Sequence, residues 1–308
     1  MKKYLFVVRF LFICYNKIIY KREIKTKLRI TLGRRPTMKK NLKSIILILG
    51  LLVFIGSCAT APLTGRKQLK LVSDESVAKS TVAQYREFIN DASSKNLLAN
   101  NTEDGRRLRQ VGGRISAAVE KYMNENGMSN KVKNLNWEYN LIKSDEMNAF
   151  AMPGGKIAFY TGIMPVLGTD AGIAFVMGHE IGHVIGGHHA EGKSNQLTAG
   201  VIMLGKGVAD VLTGGATEVI NNDLVGQGLQ IGLLKFNRTQ EYEADKYGMI
   251  FMAMAGYNPE EAIKVQERMA AKGSGKGNDF LSTHPSSDKR IKAMKDFLPE
   301  AMKYYRKK

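Results

Sequence analysis

Apolar residues recur every three to four positions over residues 74–92, at Val77, Val82, Tyr85, Phe88 and Ile89, and over 103–124, at Leu108, Val111, Ile115, Val119 and Tyr122. Both stretches predict amphipathic helices, expected to pack against each other. The period drops to two over 135–142. Ala149-Phe150-Ala151 and Lys156-Ile157-Ala158-Phe159-Tyr160 then flank the turn Met152-Pro153-Gly154-Gly155. This pattern predicts a small antiparallel sheet. Residues 170–178 are almost uncharged, with apolar positions at helical spacing, which predicts a buried helix that continues beyond residue 178. Two glycine-rich apolar segments, 197–212 and 219–236, are separated by Gly214-Gly215 and predict helices covering the buried one. Lys206, Asp210, Asp223 and Lys235 interrupt them, so neither offers the roughly 20 apolar residues that cross a bilayer. Further helices are expected over 239–255, stopped by Gly256, and over 260–271, started by Asn258-Pro259. The expected class is α+β, mainly helical, with one domain over 74–308.

Charge changes the picture only at the N-terminus. The net charge is +18, but residues 1–57 hold 14 of the 46 Lys and Arg and one of the 28 acidic residues. They carry +13, so the basicity belongs to a leader and no nucleic-acid partner is expected. From Met38 that leader has a basic start (Lys39, Lys40, Lys43), an apolar core over 45–55 and then Gly56-Ser57-Cys58. The core is short for a mature spanning helix, and small residues before a cysteine mark a cleavage site. Residues 55–58 resemble a bacterial lipobox, which implies a lipoprotein signal peptide over 38–57 and acylation of Cys58. Residues 1–37 lie upstream of that complete signal and read as a non-native extension, with translation starting at Met38. Residues 58–73, with Pro62 and Gly65, read as a tether. Cys14 and Cys58 are the only cysteines. A chain beginning at Cys58 therefore has no disulfide framework and relies on packing.

Four of the five histidines sit in the run His179-Glu180-Ile181-Gly182-His183-Val184-Ile185-Gly186-Gly187-His188-His189. Residues four apart share a helical face, so His179 and His183 can direct two imidazoles at one metal ion while Glu180 reaches its water. Zinc with three protein ligands keeps a position for water and lowers its pKa to about 7, which gives a hydroxide nucleophile near neutral pH. No covalent nucleophile is needed. Two residues compete as third ligand. His189 completes H-E-x-x-H-x-x-G-x-x-H if the helix breaks at Gly186. Glu241 is the alternative: it shares a helical face with Asp245, so one carboxylate can bind metal while the other accepts from a ligating imidazole. That second arrangement is favoured.

The motifs His179-Glu180-Ile181-Gly182-His183, Glu241-Tyr242-Glu243-Ala244-Asp245, Asn148-Ala149-Phe150-Ala151-Met152-Pro153-Gly154-Gly155 and Ser282-Thr283-His284-Pro285 with Arg290 are all present in one chain. Together they resemble family forty-eight of the metallopeptidases over about residues 74–297. The resemblance implies a zincin-like fold with a sheet beside the active-site helix. It implies one zinc on His179, His183 and Glu241, Glu180 as general base, and Asp245 and Arg290 behind the ligands. His284 would lie near the metal as a latch or transition-state stabiliser, and Asn148, Ala149, Phe150 and Ala151 would form a substrate-binding edge strand. The membrane-spanning helices and helical repeats of some members are missing. The best fit is a small periplasmic lipoprotein protease, attached to the membrane through Cys58, that degrades misfolded or misassembled envelope proteins. The rival reading is a zinc-stabilised, chaperone-like binder of outer-membrane proteins. An intact Glu180 argues against it.

Overall fold

The computed structural model describes residues 58–213, 236–272, 279–284 and 288–306. The expected leader elements and most of the 219–236 segment lie outside these residues. The segment expected as a tether, 58–73, contains regular structure. Strands β1 (Cys58–Thr60) and β2 (Lys67–Leu69) form an antiparallel hairpin. Long-range bonds hold it down: Leu63 N–H donates to Tyr247 Oη at 2.9 Å and Gln68 Nε2 to the Gly186 carbonyl at 2.7 Å.

Helices α1 (Asp74–Ser94) and α2 (Glu103–Glu125) match their apolar periodicity and are capped by Ser73 and Thr102, whose side chains each accept from the backbone N–H three residues on. They do not form the expected pair. The sheet comprises β3 (Glu138–Ile142), β4 (Ala149–Met152) and β5 (Lys156–Tyr160), and α1 and α2 use its opposite faces. Tyr85 and Ala92 of α1 pack with Ile142, Phe150, Met152 and Ala158. Leu108, Val111 and Ile115 of α2 join Leu141, Ala149, Ala151, Ile157 and Phe159 in the larger core. Alternation along strands buried on both sides supplies the two surfaces.

The sheet is mixed, in the order β3-β5-β4, with β5 parallel to β3 and antiparallel to β4. The fully antiparallel expectation fails here because β5 inserts between β3 and β4. The expected β4–β5 turn is correct, and it leaves β4 at an edge.

After the short helix α3 (Met164–Leu167), helix α4 (Asp170–Gly186) runs through the core and is followed by α5 (His188–Thr213). Thr169 caps the start of α4, and Gly187 at φ 72° ends it. Helix α6 (Arg238–Met254) starts with a capping box from Asn237 and Gln240 and lies along α4. A Cβ on Gly178 would fall 3.0 Å from the Gly248 Cα, so the backbones approach more closely than ordinary side chains permit. Helices α7 (Glu260–Lys272), α8 (Asp279–Thr283) and α9 (Asp288–Met302) complete the described elements. Residues 197–212 do belong to α5, but Leu197 is 48% exposed. The contact of α5 with the body is made near its start, where Ser194 Oγ accepts from Leu71 N–H. No single described helix is long and apolar enough to cross a membrane.

Candidate metal centre and active site

One turn of α4 separates His179 from His183, and their Nε2 atoms lie 3.2 Å apart. Helix α6 contributes Glu241, whose Oε1 is 3.5 Å from His183 Nε2 and whose Oε2 is 3.6 Å from His179 Nε2. His284, immediately after α8, places Nδ1 3.0 Å from Glu241 Oε1 and 3.3 Å from His179 Nε2. One ligand atom from each of these four side chains falls within 4.8 Å of the others, and all four are buried. Imidazole nitrogens and a carboxylate oxygen at such separations match the donor preference of zinc. The residues therefore fit a resident metal.

The surroundings hold these groups in place. His179 Nδ1 donates to Asp245 Oδ1 at 3.0 Å. Arg290 contacts two of the carboxylates of α6: its Nη2 donates to Asp245 Oδ1 at 2.6 Å, and its Nη1 lies 2.6 Å from Glu241 Oε2. Burial opposes the Asp245 carboxylate, but Arg290 and His179 hold its pKa well below the usual range. Burial and the neighbouring imidazoles push the His183 pKa far down, which keeps the ring neutral. Burial also disfavours charge on His284, yet Glu180 and Glu241 outweigh it and raise the pKa.

Glu180, next to His179 on α4, reaches β4. Its Oε2 accepts from Ala151 N–H at 3.3 Å. Its Oε1, 3.5 Å from His284 Nε2, has no hydrogen-bond partner among the described residues. Burial raises its carboxyl pKa. Asn148 is buried just before β4, and Phe150 points into the α1 cluster, on the face opposite Ala149 and Ala151. Of the four edge residues, Ala151 is the one bonded to Glu180.

His189 stands apart. The chain turns at Gly187, not Gly186, and His189 is left out of the four-residue cluster, with its ring against Phe236. Burial lowers its pKa to about 3.

A model described as Peptidase family M48 matches residues 109–298, a span that includes every residue of the cluster. The chain belongs to this family. Its M48 domain is 36% identical over 190 residues to the mitochondrial metalloendopeptidase OMA1 of Schizosaccharomyces pombe, covering 61% of this chain and 53% of that protein. OMA1 of Arabidopsis thaliana is 34% identical over 195 residues, covering 62% and 38%. The metalloprotease LoiP of Escherichia coli is 28% identical over 172 residues, covering 56% and 66%. The chain thus spans about half or less of the length of these OMA1 relatives.

Sequence reasoning missed three participants in this M48 site. His188 places Nδ1 2.9 Å from His183 Nδ1, Glu243 lies 3.0 Å from His188 Nε2, and Phe236 stacks on His183 with ring centroids 3.7 Å apart. The adjacent His188-His189 pair was the available signal, since a turn at Gly187 can send only one of the two rings back under His183.

Proposed function

We propose that the chain is a zinc-dependent endopeptidase of the bacterial cell envelope, with one zinc on His179, His183 and Glu241, that degrades misfolded or misassembled proteins. The observation that carries this reading is the convergence of three buried ligand atoms from α4 and α6 beside Glu180, which is bonded to an edge strand. Zinc held there would polarise the scissile carbonyl and activate water as nucleophile. Glu180 is the general base: it takes a proton from that water and returns it to the leaving amine, and burial raises its carboxyl pKa. Ala151 N–H fixes Oε2 of that carboxylate and leaves Oε1 for the proton. Among the described residues strand β4 pairs with β5 alone, so an extended substrate can bond to its other edge through the backbone. Such pairing carries little sequence preference, as suits an enzyme acting on unfolded chains.

The position of His284 among the ligand atoms supports a latch that substrate displaces. Attachment to the envelope rests on the lipobox-like residues 55–58 and acylation of Cys58. Relatives named as mitochondrial do not bear on that leader.

A peptidase assay on an unfolded protein, run beside Glu180→Gln, tests the reading. Cleavage that disappears in Glu180→Gln while zinc is retained supports the endopeptidase. Wild-type protein that holds unfolded chains without cutting them overturns it in favour of the chaperone-like binder.

A further inference from the structure

His179 and His183 are paired as ligands but are supported differently. Behind His179 stands the carboxylate of Asp245, which only accepts, so Nδ1 keeps the proton and Nε2 presents a lone pair. Behind His183 stands another imidazole. His183 Nδ1 and His188 Nδ1 are 2.9 Å apart, and a hydrogen bond between them needs one proton on one of the two atoms. The far side of His188 decides which. His188 Nε2 lies 3.0 Å from Glu243 Oε2, and Glu243 is ion-paired with Arg66 of the N-terminal hairpin, whose Nε and Nη2 donate at 3.1 and 3.0 Å. Thr64 of the same hairpin also donates to Glu243. A carboxylate with these donors accepts from His188 Nε2–H. Neutral His188 then offers a lone pair at Nδ1, which accepts from His183 Nδ1–H. His183 Nε2 is left unprotonated and faces His179 Nε2.

The chain is built to admit this ring. A Cβ on Gly186 would fall 2.6 Å from His188 Nε2, so glycine at 186 is what lets the imidazole fold back under α4. His188 is fully buried, which makes an unpaired ring nitrogen costly and the relay tight.

We propose that His188 and Glu243 are positioning residues that hold His183 in its metal-ligating tautomer, and that Arg66 of the hairpin completes this relay. The inference rests on the metal site proposed above. It also gives the hairpin that begins at Cys58 a role in the metal centre, through the chain of hydrogen bonds from Arg66 to Glu243, His188 and His183.

The test is the zinc affinity of the full chain, measured by competition with a chromophoric chelator, together with imidazole nitrogen NMR of the metal-free protein. Loss of an outer partner of a ligating histidine weakens metal binding by about 10- to 100-fold. His188→Ala is expected to show that loss and to abolish the single His183 Nδ1–H tautomer. His188→Asn, whose side-chain oxygen can still accept from His183, should recover much of both. Arg66→Met should weaken binding less than His188→Ala. Should His188→Ala fail to fold, Glu243→Leu beside His188→Asn carries the same comparison. Wild-type affinity with an unchanged tautomer in these variants overturns the relay. Wild-type protein that binds no zinc overturns the metal site itself, and the two failures are told apart by that measurement.

Discussion

Gly182 on α4 meets Tyr247 on α6 so closely that a Cβ at position 182 would fall 2.8 Å from the Tyr247 Cβ. This approach brings Glu241 and Asp245 within reach of His179 and His183. Gly182→Ala must push the helices apart, and overpacking of this kind costs about 1–3 kcal/mol. A lower melting temperature and weaker zinc retention are expected. Gly113→Ala on α2 is the control, because nothing lies within 4 Å of its added Cβ. Equal melting temperatures for the two variants would contradict the close-contact account.

The third ligand separates two metal-site architectures. Glu241→Ala should eliminate zinc retention and activity, whereas His189→Ala should leave zinc in place. Metal analysis after chelator-free purification decides between them, and the reverse pattern would favour His189 as ligand.

His284 offers a test of sign. As a latch it competes at the ligand set, so His284→Ala raises basal peptidase activity; as a stabiliser of developing charge, its loss lowers activity. The expected result is an increase with zinc content unchanged. Activity equal to wild type would remove His284 from the mechanism.

Acid stability should depend on Glu191, which joins α5 to the hairpin. Burial opposes its charge, but the Arg66 and Gln240 hydrogen bonds lower its pKa below the ordinary value. A depressed folded pKa contributes stability that is present above the unfolded value of about 4.3 and lost as pH falls through the folded one. Glu191→Gln should therefore lower the melting temperature at pH 7 and flatten its decline below about pH 4.3. An unchanged acid limb would show that the pair contributes nothing.

Cys58→Ala should abolish metabolic lipid labelling and block normal processing of the leader. Labelling that persists in the variant would reject the lipoprotein assignment.

Much of the local structure was legible because one chemical signal governed it. Helices α1, α2, α6 and α7 follow apolar periodicity and capping residues to within a few positions of their observed bounds. The β4–β5 turn follows from Pro153-Gly154-Gly155. Pairing partners were not legible in the same way. Every residue of β4 is buried, so its pattern does not reveal which neighbour it has, and α1 and α2 present similar apolar faces although the sheet stands between them. The hairpin over 58–69 has few apolar residues. Its place in the fold comes from Arg66, Gln68 and Leu63 bonding to residues more than 100 positions away.

By itself the sequence determined the metal chemistry: a helical repeat of about 3.6 residues places His179, Glu180 and His183 around one point, and no distant information is needed for that. It left the third ligand open, because a histidine a few residues on and a carboxylate on a later helix satisfy the same valence. Tertiary structure packs Gly178 and Gly182 against α6, which sets Glu241 beside the imidazoles and leaves His189 out of that group, the arrangement that the proposed ligand set needs. The same packing brought His188, Glu243 and Arg66 into line behind His183. Hydrogen bonds depend on distances between elements, and only the folded chain fixes those distances.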